Sequence, residues 1–135
     1  MKRNFSIVQL FFVFLLSGCF SKFEKKSEDS KILTHIVLCW LKDPGNLEHR
    51  KKIIEITDSF NEIPSVINAR AGNPIMSERS IVDDSFDVGI LIVTKDQTDL
   101  RKYLDHPKHV IAKEKILMPI IRKILVYDFI KVEDD

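Results

Sequence analysis

The residues able to carry acid–base chemistry lie in two places. Tyr103, His106 and His109 share one short stretch, Tyr103-Leu104-Asp105-His106-Pro107-Lys108-His109. His35 stands apart, inside the apolar run from Ile32 to Leu41. A neutral histidine, with an ordinary pKa near 6.5, suits the removal of a proton next to a carbonyl. A tyrosine hydroxyl can donate to the oxyanion that then develops. Tyr103 and His109 are therefore the candidate catalytic pair, with His35 and His106 as candidate binding residues. On an unbroken helix the pair would sit about 600° apart, on different faces. Pro107 argues against an unbroken helix, so convergence requires the chain to bend there.

Each of these residues also has a purely structural reading. His106 precedes a proline and is pushed towards extended geometry, so it could simply join two helical pieces. Tyr103 could be a core ring with its hydroxyl at the rim. His109 and His35 could be hydrogen-bonded inside the fold, and His49 falls on a helix surface.

Other chemistries find less support. His35, His106 and His109 do not form a recognised zinc spacing, and no carboxylate stands at a ligand interval from them. No metal and no cofactor are expected. Cys39 shares a strand face with His35, but four residues along a strand span about 13 Å, too far for a nucleophile and its base. With four glycines in the chain, no phosphate-binding glycine loop is present. The formal charge is +1 and no basic stripe appears, which argues against a nucleic-acid surface.

The elements that must position these residues follow from the hydrophobic pattern. The chain has 135 residues, 44% hydrophobic and 30% charged, an ordinary globular composition. Ile32–Leu41 predicts a first strand, apolar on both faces. Asp43-Pro44-Gly45-Asn46 predicts a turn with Asn46 as N-cap. Leu47 to Asn61 carries Ile53, Ile54, Ile56 and Phe60 at helical spacing, and Pro64 blocks continuation. Ser65–Gly72 predicts a weaker strand, Asn73–Ser85 a polar loop, and Phe86–Thr94 a strong strand. Asp96 caps a second helix, a further helical piece runs from Pro107 to about Met118, and Lys123–Val132 predicts the last strand.

The order β-α-β-β-α-β predicts an α+β, ferredoxin-like sandwich with helices on one face of an antiparallel sheet. The strands are apolar on both faces, so the uncovered face needs burial. A second copy is the economical solution, which predicts a homodimer through the sheet face.

The Tyr-Leu-Asp-His-Pro-Lys-His stretch has company. His35 lies in the first strand, Ile63-Pro64-Ser65-Val66 precedes the second, Gly72-Asn73 ends it, and Phe86-Asp87-Val88-Gly89 opens the third. Together these resemble the stress-responsive A/B barrel (Dabb) family, over roughly Leu33 to Ile130. The resemblance implies a dimeric α/β barrel of two ferredoxin-like subunits. Members include plant stress proteins without a settled reaction and a plant polyketide cyclase, olivetolic acid cyclase, which closes a tetraketide by aldol condensation. In that cyclase the motif tyrosine and last histidine form the catalytic pair, matching Tyr103 and His109. A first-strand histidine near its pocket matches His35. Two readings stay open: a module that binds a small apolar ligand or supports envelope stress tolerance, and a cyclase-like lyase using Tyr103 and His109. A small monooxygenase would share the architecture, but no motif favours it.

Residues 1–18 obey different rules. Lys2 and Arg3 precede an apolar run from Phe5 to Leu16, too short for a membrane-spanning helix. Leu16-Ser17-Gly18-Cys19 resembles the lipobox of bacterial lipoproteins, which implies cleavage before Cys19 and lipid on its thiol. Several acyl chains would anchor stably where one does not. The domain expectation is a signal peptide over 1–18, a flexible tether over 19–30 and the Dabb-like domain over 31–135. The implied location is the bacterial cell envelope, outside the cytoplasm. Phe20, where some inner-membrane lipoproteins carry aspartate, points towards the outer membrane of a Gram-negative cell. With Cys19 lipidated, Cys39 would be the only thiol and no internal disulfide could form.

Overall fold

The computed structural model describes residues 32–131. The expected signal peptide over 1–18, Cys19 and the expected tether over 19–30 lie outside the described residues. The elements are β1 (Leu33–Leu41), α1 (Leu47–Ser59), β2 (Asn68–Gly72), β3 (Val88–Thr94), α2 (Gln97–Asp105), α3 (Pro107–Ala112), α4 (Met118–Ile120) and β4 (Ile121–Ile130). A 3-10 turn (Phe60–Glu62) extends α1, and a π-helical turn (Lys113–Leu117) joins α3 to α4. The strands form one antiparallel sheet in the order β2-β3-β1-β4. This is the ferredoxin-like α+β fold that the element order predicts. Among the described residues no helix is long and apolar enough to cross a membrane.

Strand alternation divides the sheet into two faces. Leu33, His35, Cys39 and Leu41 of β1, with Val88, Ile90, Ile92 and Thr94 of β3, are buried beneath the helices. The other face carries Ile36 opposite Leu91 and Tyr127, and Thr34 opposite Phe129. Among the described residues no helix covers it, and Tyr127 and Phe129 remain about half exposed, at 52% and 55%. One end of this face is closed from within. The Trp40 indole donates to Ser85 Oγ at 3.2 Å, Phe86 meets its ring edge-on, and the Lys123 ammonium lies 4.1 Å above it. A Cβ on Gly89 would come within 3.3 Å of the Phe86 ring, so glycine permits this close packing.

Asp87 is the main polar joint. Its buried carboxylate accepts from Leu41 N (2.9 Å), Gly45 N (2.7 Å) and Arg50 Nη2 (2.9 Å), tying β1, the first turn and α1 to the start of β3. Gly45 has φ +78°, a conformation that side-chain-bearing residues rarely adopt. Asn46 accepts from His49 N at 2.9 Å and caps α1, as the turn predicts. Ile53, Thr57 and Phe60 bury the inner face of this segment. Asn61 then bonds both the N–H and the C=O of Ala69, at 2.8 Å each, pinning the end of α1 to β2.

The structure adjusts several sequence expectations. β2 and β3 start later than expected, at Asn68 and Val88, although Ile67 N and Asp87 N just before them already bond across to Val93 O and Cys39 O, at 2.8 Å each. The last helical piece runs past Met118 through Pro119 to Ile120, and β4 follows from Ile121. His49 is half-buried rather than on the surface, with its Nδ1 shielded and without a partner among the described residues.

Candidate functional site

The bend between α2 and α3 is built from local chemistry. His106 is extended (φ −66°, ψ 133°), the geometry imposed before Pro107. Its Nδ1 accepts from Lys108 N at 3.2 Å, so it caps α3 while Pro107 takes the first helical position. The Lys108 ammonium reaches the Ser59 carbonyl and the Glu62 carboxylate, anchoring the new helix to the end of α1. This single extended residue resets the helical phase between Tyr103 and His109.

As a result the two rings meet. Tyr103 and His109 lie 4.5 Å apart, centroid to centroid. Phe60 packs edge-on against both, at 5.6 and 5.7 Å. His35 approaches the Tyr103 ring from β1 at 6.2 Å. These four aromatic rings line a cavity of about 170 Å³ under the helices. The remaining wall is mostly apolar and includes Val37, Cys39, Ile90, Leu117, Ile124 and Val126. Lys113, an exposed residue, also lines it. His106 is not among the lining residues; its place is the helix cap.

The hydrogen-bond partners decide which nitrogen is available. His109 Nδ1 lies 2.9 Å from the Leu104 carbonyl, one of the unpaired carbonyls at the end of α2. A carbonyl can only accept, so Nδ1 carries the hydrogen and a neutral ring keeps its lone pair on Nε2. Burial pulls the His109 pKa below its ordinary value of 6.5; the Leu104 bond opposes this, and the charges of Lys113 and His35 add to it. The ring is therefore neutral at neutral pH. Tyr103 is 3% exposed, and burial raises its pKa well above the ordinary value, so its hydroxyl stays protonated. Burial likewise pushes the Cys39 thiol up to about 11, which leaves it un-ionised and unreactive.

His35 has a partner that sequence reasoning missed. Its Nδ1 lies 2.6 Å from Asp128 Oδ1, across the β1–β4 pairing that sets these two residues opposite each other. The carboxylate fixes the ring and leaves Nε2 as the other hydrogen-bonding atom. The two residues are 93 positions apart, and only the strand register joins them. Period-two alternation in β4, counted against β1, was the one signal available. Phe60 was visible only as a core residue of α1, and Lys113 only as a charge on a helix.

The comparisons with known proteins agree on the architecture. A family model described as the stress responsive A/B barrel domain, Dabb, matches residues 33–131. A Dabb-family protein with a ferredoxin-like fold from Mesorhizobium loti is 20% identical, with a TM-score of 0.62 over 76% of this chain and 99% of that one. A dimeric ferredoxin-like protein of unknown function from Jannaschia is 25% identical, with a TM-score of 0.60 over 73% and 97%. A hydroxynitrile lyase from Passiflora edulis is 19% identical, with a TM-score of 0.65 over 78% and 98%. No curated protein matches the chain.

Proposed function

Because the chain belongs to the stress-responsive A/B barrel (Dabb) family, we propose that its cavity is an acid–base site for a small carbonyl compound, of the lyase or cyclase type. The observation that carries this reading is the tyrosine–histidine pair on one apolar cavity, with His109 Nε2 left as the lone-pair nitrogen. In this reading Nε2 takes a proton from the carbon next to a carbonyl. The bonding pair moves into the carbonyl π system, and the Tyr103 hydroxyl hydrogen-bonds the resulting enolate oxygen. The enolate carbon then attacks a second carbonyl carbon, and the new alkoxide recovers the proton from His109. Atoms balance without an added reagent. The His35–Asp128 pair would hold the substrate's second polar group. The fold it shares with a hydroxynitrile lyase makes carbon–carbon chemistry a consistent occupation for such a site, but the reading rests on the site and not on that likeness.

The domain would act as a homodimer through the apolar sheet face. Similar structures are described as dimeric, and Tyr127 and Phe129 are the kind of exposed aromatic surface that a second copy covers. It would be tethered to the envelope membrane by lipid on Cys19.

The direct test is deuterium exchange. The full chain, in nonionic detergent, is given cyclohexanone in D2O, and incorporation next to the carbonyl is followed by NMR. Acceleration that drops by about 10² or more in His109→Gln supports the proposal. If cyclohexanone binds but exchanges at the background rate, the cavity is a binding site without chemistry, and the module reading replaces the enzymatic one.

A further inference from the structure

The cavity's one long charged side chain has no role in the reading above. Lys113 follows His109 by four residues, so the two share a helix face, and Leu117 continues that face into the cavity wall. The π-helical turn starts at Lys113, and such turns re-aim side chains within an otherwise helical run. Among the described residues Lys113 forms no ion pair. Its neighbours in the wall are apolar or aromatic, apart from His109 and the Asp128-paired His35. An ammonium beside a low-polarity cavity attracts an anion more strongly than one in open water.

We propose that Lys113 is an anion anchor at the cavity mouth, so the ligand is a small carboxylate whose apolar part fills the cavity. This rests on the cavity being a ligand site. The volume limits the size: a protein cavity of about 150 Å³ accommodates benzene, and this one measures about 170 Å³. One six-membered ring or an equivalent short chain fits inside, which leaves a carboxylate at the rim, where Lys113 stands. The charge of Lys113 is also felt by His109, after burial and the Leu104 bond. A bound anion would offset it and make the imidazole a stronger base when ligand is present.

Benzoate and its neutral isostere benzamide provide the test. The full chain in nonionic detergent is titrated with each while the His109 and Tyr103 ring signals are followed by NMR. The expected result is a preference for benzoate of about fivefold, lost in Lys113→Gln, kept in Lys113→Arg, and reduced by high salt. Equal binding of the two probes, or a preference that survives Lys113→Gln, overturns the anchor and leaves the cavity reading standing. If neither probe shifts the His109 and Tyr103 signals, the cavity reading falls and takes the anchor with it. Unchanged amide spectra show that each variant is folded.

Discussion

The imidazole of His109 reaches back over five residues to the Leu104 carbonyl and, in the same pose, sets its ring 4.5 Å from that of Tyr103. One side chain thus closes the end of α2 and faces the cavity. The structural and functional readings of His109 are therefore compatible. The Nδ1 hydrogen serves the fold, which frees Nε2 for a ligand.

Tyr103 separates stability from chemistry. Its ring packs between Phe60, His35 and His109, but no described residue hydrogen-bonds its hydroxyl. Tyr103→Phe should change the unfolding free energy by less than about 1 kcal/mol. It should cut proton exchange into a bound ketone by about 10². Urea unfolding and deuterium incorporation read the two quantities, and a variant as active as wild type would remove Tyr103 from the chemistry.

The pH dependence follows from the sign of the His109 shift. Its folded pKa lies below the ordinary 6.5, so the neutral base persists into mildly acidic solution. The acid limb of the exchange rate should have its midpoint below 6.5. The unfolded chain binds this proton first as pH falls, so His109 progressively destabilises the fold from 6.5 down to its lower folded value, and the loss persists below that. A rate profile with its acid midpoint above 6.5 would contradict the assignment of His109 as base.

Asp87 is the most costly side chain to remove. Burial would raise its carboxyl pKa, but the bonds from Leu41, Arg50 and Gly45 outweigh this and hold it below the ordinary 3.8. Asp87→Ala leaves a buried N–H and a half-sheltered guanidinium unpaired, and should cost about 3 kcal/mol in urea unfolding. The contribution is present above 3.8 and is lost as pH falls through the folded value. Removal of the exposed Lys51–Glu55 pair should leave the midpoint unchanged and serves as the control.

The proposed homodimer uses the uncovered sheet face. Phe129→Asp places a charge among Thr34, Tyr127 and their neighbours. The detergent-corrected mass by light scattering should be two chains for wild type and one for the variant. A single-chain mass for the wild type would sink the proposed homodimer.

Membrane attachment is tested at Cys19. Mass spectrometry of the chain expressed in a lipoprotein-processing bacterium should find residues 1–18 gone and an acylated Cys19. Cys19→Ser should leave the uncut precursor. Ordinary cleavage at another bond, with an unmodified thiol, would refute the lipobox assignment.

The sequence alone determined whatever depends on short-range periodicity. Alternation in Ile32–Leu41 and Phe86–Thr94, the three-and-four spacing of Ile53, Ile56 and Phe60, and the caps at Asn46 and Asp96 are local properties, and together they specify the ferredoxin-like order. The Tyr103 to His109 stretch even showed where the chain must bend, because Pro107 restricts His106 whatever surrounds it. Tertiary structure decided the rest. The tautomer of His109 depends on where the Leu104 carbonyl points. The pairing of His35 with Asp128 depends on a strand register spanning most of the domain. The membership of Phe60 and Lys113 in one cavity depends on how α1 and α3 settle on the sheet. Each of these is a contact between residues that periodicity treats independently, and packing alone brings them together.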